Sequence, residues 1–200
     1  MTEQGDVTTR WRIIRRLFHI ALSITIVYYW LPDIIGEPGI RKWVILLIGG
    51  MIVLCIEPPR LILGKRLPWG RPYELRRPAS YAYAAFGTII VLLLFPPGIG
   101  APAIAAMALA DPVAGELRRK NASRLHIGAA CGAIYAIIAL ILASLILLDL
   151  MIAITIAIPM TIIAVITEDL DLKALDDDLT MIVLPATIGY LLYVLLTSSI

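Results

Sequence analysis

The sequence predicts an all-α fold: a polytopic membrane helix bundle of about seven transmembrane helices, with the N-terminus in the cytoplasm. Three observations carry this expectation. The composition is 60% hydrophobic and only 16% charged over 200 residues, with a mean hydropathy of +0.90. A soluble domain of this size is closer to half apolar and a quarter charged. The apolar residues gather into runs near spanning length, and the basic residues fall almost wholly in alternate connecting segments.

Candidate spans lie at about 17–35, 43–56, 81–97, 101–115, 127–148, 150–166 and 179–197, where a span needs about 20 apolar residues or about 17 at the short end. The second and fourth fall short of that length. The first follows Arg10, Arg12, Arg15 and Arg16 but is too long for a signal peptide and lacks a small-residue cleavage site. Of the 17 Lys and Arg, only Arg41 and Lys42 lie opposite the N-terminal side. The positive-inside rule therefore puts the basic N-terminus (1–16) and loops at about 57–80, 116–126 and 167–178 in the cytoplasm. An even number of spans would break the alternation. Residues 1–200 read as a single integral membrane domain in the cell membrane, with no stretch left over for a soluble one. Cys55 and Cys131 sit inside apolar runs and read as small buried hydrophobes. Apolar faces between chains resemble those within one, so a homo-oligomer is compatible with the sequence.

Charges at membrane depth are costly and each asks for a reason. In the first span, Arg12, Arg16, His19 and Ser23 recur at helical spacing and form one polar stripe. Arginines there also serve as interfacial anchors, and His19 lies a turn deeper. The 57–80 loop is rich in Pro, Gly and Arg and carries Trp69 and Tyr73. Glu57 and Arg60 stand at the end of a span, and Glu74, Arg76 and Arg77 precede the next. Such loops commonly meet anionic headgroups, and their arginines suit phosphate.

The most specific local pattern is MALADPVAGELRRK. Pro112 cannot donate to the carbonyl of Ala108 and disfavours helix at Asp111, so the backbone is expected to open there. Opened backbone at membrane depth is tolerated where it lines a polar cavity. Ala110, Ala114 and Gly115 would admit a close neighbour, helix or ligand. Finally, Glu168, Asp169, Asp171, Asp176, Asp177 and Asp178 crowd against Lys173 alone. Acidic groups before the last span suit its helix dipole, but the set as a whole suits a hard divalent cation with oxygen ligands. The chain has no Walker loop, kinase glycine loop, nucleophile elbow or HExxH, and no nucleic-acid-binding motif.

With these segments in view, the chain resembles the CTP-dependent lipid-alcohol kinases: dolichol kinase, phytol kinase and the yeast-type diacylglycerol kinase. The matching segments are RRLFHI at 15–20, EPPR at 57–60 leading to ELRR at 74–77, ALADPVAG at 108–115 and EDLDLKALDDDLTMIVLP at 168–185. Two features depart from the family. Asp178 stands where Asn is usual, and ELRRKNASRLHIGAACG replaces a Lys-Thr-Gly-Ser-like element. The resemblance implies CTP as donor, Mg2+ as cofactor and a long-chain isoprenoid alcohol of dolichol or polyprenol type as acceptor, with geranylgeraniol, phytol or diacylglycerol as alternatives. Ile abundance and scarce amides tilt the source towards archaea. By the same resemblance Asp111 and Asp177 bind magnesium and orient the hydroxyl, and Glu168 and Asp178 complete the carboxylate set. Arg118, Arg119, Lys120 and Arg124 hold the triphosphate, while Arg16 and Arg60 shape the pocket and bind phosphate beside them, and His19 joins Asp111 and Asp177 as a catalytic residue. Two other readings compete: a CTP-dependent lipid cytidylyltransferase, and an ion-coupled carrier built around a broken helix at Asp111.

Overall fold

The computed structural model describes residues 9–37, 39–68, 70, 72–169 and 176–198. Trp69, Arg71, Asp171 and Lys173, with the side chains of Arg12 and Tyr73, lie outside the described residues. The chain is all-α apart from one two-residue antiparallel pairing, Ile34–Ile35 with Ile40–Arg41, in the first connection.

The elements follow the apolar runs. Helix α1 (Thr9–Leu22) continues as a 3-10 segment (Ser23–Trp30), ending where Leu31 turns extended before Pro32. Helix α2 (Trp43–Ile62) precedes α3 (Ser80–Leu94). After Phe95-Pro96, Pro97 opens α4 (Pro97–Arg119) from the first-turn position that its missing N–H suits. Ser123 caps α5 (Arg124–Leu147) by accepting from the His126 N–H. Helix α6 (Leu150–Asp169) leads to α7 (Asp177–Ser198), where Asp176 Oδ1 accepts the Asp178 N–H at 3.2 Å.

Helix α4 is the hub. It packs against α5, α7, α1 and the 3-10 segment, and 14 of its 23 residues are buried. Small residues make this possible: Ala103, Ala106, Ala108, Ala110 and Ala114 are wholly buried. A methyl group at Gly100 would collide with the Tyr29 hydroxyl, which donates to the Val91 carbonyl at 3.1 Å.

Among the described residues, six helical segments are long and apolar enough to cross a membrane. The seventh expected span, α3, has 15 residues and rises about 22 Å at 1.5 Å per residue, short of a bilayer core of about 30 Å.

Several boundaries correct the sequence reading. Helix α2 runs through Pro58 and Pro59 to Ile62, so the 57–80 loop begins later than expected. The 116–126 loop shrinks to residues 120–123. The backbone does not open at Asp111: α4 is continuous through Pro112. Proline removes one N–H donor there, but the fully buried alanines on either side hold both halves against α5 and α7. Cys131 is buried as expected, whereas Cys55 is exposed on α2.

Candidate functional site: a buried His–Asp–Asp centre beside an apolar cavity

Distant segments bring their polar ends to one end of the bundle. His19 from α1, Asp111 from α4 and Asp178 from α7 meet there, each less than a tenth exposed. His19 Nε2 lies 3.2 Å from Asp111 Oδ2 and 3.6 Å from Asp178 Oδ2. One ligand atom from each of the three falls within 4.8 Å of the others. Asp178 belongs equally to a second such group with Asp176 and Asp177, so the carboxylates form a continuous run from Asp111 to Asp176.

Asp178 is the telling member. Its side chain is 1% exposed, and Oδ2 has no hydrogen-bond partner among the described residues. Burying an ionised carboxylate without a partner is among the costliest arrangements a protein can hold. The first-turn position in α7 offsets part of the cost through the helix dipole. The donor set fits a hard divalent cation, which takes carboxylate oxygens and keeps water or phosphate for its other positions.

An arginine-lined rim flanks this centre. Arg118 pairs with Glu168, and its Nη2 lies 3.9 Å from Asp177 Oδ2. Asp111, Gly115 and Arg118 follow one another at helical spacing on α4. A Cβ on Gly115 would meet nothing within 4 Å, so the face between the carboxylate and the guanidinium is open. Arg16 and Arg119 both engage Glu116, which ties α1 to α4. Arg124 reaches Asp169 at 4.0 Å on an exposed surface, and Lys120 is exposed just past α4.

Arg60 does something other than expected. Nε donates to Glu57 Oε2 at 2.5 Å and Nη2 to Glu57 Oε1 at 3.2 Å. Nη1 donates to the carbonyls of Glu74 and Lys65, and Nη2 to that of Arg77, at 2.7, 3.1 and 2.8 Å. Five N–H groups meet five acceptors, which leaves none for a phosphate. Glu57 Oε1 also accepts the Ala79 N–H at 2.6 Å. Arg60 is thus a clamp holding the connection between α2 and α3 against the bundle.

Sequence reasoning missed three contributors. Ser80 Oγ accepts from Arg15 at 3.1 Å and lies 3.2 Å from Asp176 Oδ2, linking α1, α3 and the start of α7. Glu116 anchors two of the expected phosphate ligands. The third is Arg15, whose guanidinium reaches Ser80, whereas Gly115 was expected to admit a close neighbour. Ser80 had a readable signal, as a hydroxyl opening a helix just after Pro78.

The centre borders a cavity of about 550 Å³ between α1, α2 and α3. Arg15, His19, Glu74, Ser80 and Tyr81 make its polar wall, and Phe18, Leu22 and Ile56 part of the apolar one. Such a space suits an amphiphile, with its polar group at His19 and its body on the apolar wall. Comparison with family models, curated proteins and solved structures finds no match for this chain, so the functional argument rests on the residues of the site.

Proposed function

We propose that this chain is a membrane phosphotransferase that moves the γ-phosphoryl group of CTP to the hydroxyl of a long-chain isoprenoid alcohol. The observation that carries the reading is the buried His19–Asp111–Asp178 centre, set between an apolar cavity and an open, arginine-bearing face. A lipid alcohol and a nucleotide must reach one point from two solvents, and this arrangement offers a wall to each. With seven crossings, counting the short α3, the positive-inside rule places this end in the cytoplasm, where nucleotide is available.

In this account the lipid hydroxyl sits at His19 in the cavity. Its oxygen attacks the γ-phosphorus, the bond to the β-phosphate oxygen breaks, and CDP leaves. The hydroxyl proton passes to the His19–Asp111 pair, whose 3.2 Å contact keeps the resulting charge paired. Arg118 lies over the open Gly115 face and offsets phosphate charge. Glu168 holds Arg118 in place, since the two side chains are paired. Arg16 and Arg119, engaged with Glu116, position α1 against α4 rather than bind phosphate directly. Asp177 and Asp178, with Asp111, would hold magnesium, which would supply charge neutralisation to the transferred phosphate. The protein otherwise contributes position and electrostatics.

The carrier alternative drew on an opened helix at Asp111, and the continuous α4 removes that support. A cytidylyltransferase differs in its products, releasing pyrophosphate rather than CDP. The test is transfer from γ-labelled CTP, beside ATP, to dolichol, polyprenol, geranylgeraniol, phytol and diacylglycerol in detergent with magnesium. Label in one lipid, lost in Asp111→Asn, is the expected result. Folded protein that labels no lipid from either donor contradicts the reading, and labelled pyrophosphate replaces it with the cytidylyltransferase.

A further inference from the structure

A second apolar cavity, of about 380 Å³, lies next to the first, further from the polar layer. Leu22 lines both, so the two are neighbours at the end of α1 with that side chain between them. The deeper one lies along the seam where the 3-10 segment, α2 and α3 face one another, with Tyr28, Leu46, Gly49, Ala85 and Leu92 among its walls. Gly49 precedes Glu57 by eight residues on α2, and Thr88 follows Ser80 by eight on α3. At 1.5 Å per residue both sit about 12 Å further along their helices than the polar layer. At that depth the available occupant is hydrocarbon.

We infer that this seam holds the proximal part of a single hydrocarbon tail of the lipid alcohol, rather than leaving the tail in bulk lipid, and that Gly49 sets how far the tail can run. The inference rests on the proposed lipid-alcohol reading for its occupant. The head cavity lies next to the seam across Leu22, so a tail leaving the reacting centre past that side chain enters it. Helix α2 packs chiefly on α3, so its side towards the 3-10 segment is left to form the groove. A Cβ on Gly49 would meet nothing within 4 Å, so the missing side chain is groove space and not a helix contact. For the same reason a bulky residue there fills the groove without displacing protein.

Thr88 Oγ1 is buried against this groove with no hydrogen-bond partner among the described residues. Thr88→Val therefore tests whether the occupant uses that hydroxyl.

The test is photolabelling of the full chain in nanodiscs with geranylgeraniol bearing a diazirine at its tail end, mapped by mass spectrometry. Adducts are expected at Leu46 and Leu92, at least tenfold fewer in Gly49→Trp and undiminished in Gly49→Ala. Thr88→Val is expected to keep or raise the yield. Equal labelling in wild type and a monodisperse Gly49→Trp overturns the inference, as does labelling centred on the outer residues Ile137 and Ile158. A fall in Thr88→Val overturns the hydrocarbon assignment, and equal labelling of the seam by a diacylglycerol probe overturns the single tail. Labelling does not require phosphoryl transfer. Seam adducts without transfer from any donor therefore leave the groove standing and sink the kinase reading alone.

Discussion

Two buried ionic clusters lie at the same end of this bundle and are built on opposite principles. Around Glu57 and Arg60, every guanidinium N–H has an acceptor, and three of those acceptors are backbone carbonyls of one connection. Around His19, Asp111 and Asp178, two carboxylates share one imidazole, and the buried Asp178 Oδ2 has no hydrogen bond among the described residues. The closed cluster is complete as it stands and fixes a loop. The open one is costly as it stands, and that cost is justified only if something else enters. Burial and charge therefore do not identify a site by themselves; the unmet hydrogen-bonding capacity does.

The largest expected effect breaks the closed cluster. Arg60→Met leaves Glu57 buried without its cation, a change that typically costs about 3–5 kcal/mol. Thermal unfolding in detergent should show a large drop in Tm that added salt does not restore. A shift no larger than that of a surface arginine would mean the clamp is dispensable.

The open cluster should behave in reverse. Asp178→Asn removes a buried carboxylate whose Oδ2 has no hydrogen bond among the described residues, so Tm without divalent cations should hold or rise. Phosphoryl transfer should fall by about a hundred- to a thousandfold, the scale seen when an electrostatic group at a reacting centre is lost. Equal losses of stability and activity would make Asp178 structural.

A smaller effect sharpens the division between the centre and its rim. Gly115→Val meets no protein atom within 4 Å at Cβ, so folding should be unchanged. The side chain stands between Asp111 and Arg118, and KM for nucleotide should rise by about tenfold, a cost of about 1.4 kcal/mol. An unchanged KM would move the nucleotide away from this face.

The sequence made one of these clusters more legible than the other. Long apolar runs with alternating basic segments are imposed by the bilayer, so the helices and their order could be read. Helix ends were less readable, because proline was taken as a stop. Pro58 and Pro59 leave only the carbonyls of Leu54 and Cys55 without their usual donors, and the Arg60 clamp holds the turn that follows. Pro112 misled in the same way, since wholly buried alanines stabilise α4 on either side of it. The residue types at the open centre were legible, because an ionisable group at a span's edge demands a reason. Their meeting was not: His19, Asp111 and Asp178 come from three helices, and no local pattern couples them. Arg60 was misassigned because its partners are mostly main-chain carbonyls, which every sequence supplies and none advertises.

The central claim is that the carboxylates beside His19, Asp111 and Asp178 among them, are completed by a divalent cation. Electron paramagnetic resonance of Mn2+ added to the purified chain tests this without relying on activity. One bound Mn2+ per chain, displaced by Mg2+ and lost in Asp178→Asn while His126→Ala retains it, is the predicted result. No bound Mn2+, or binding that survives both Asp111→Asn and Asp178→Asn, would contradict the account.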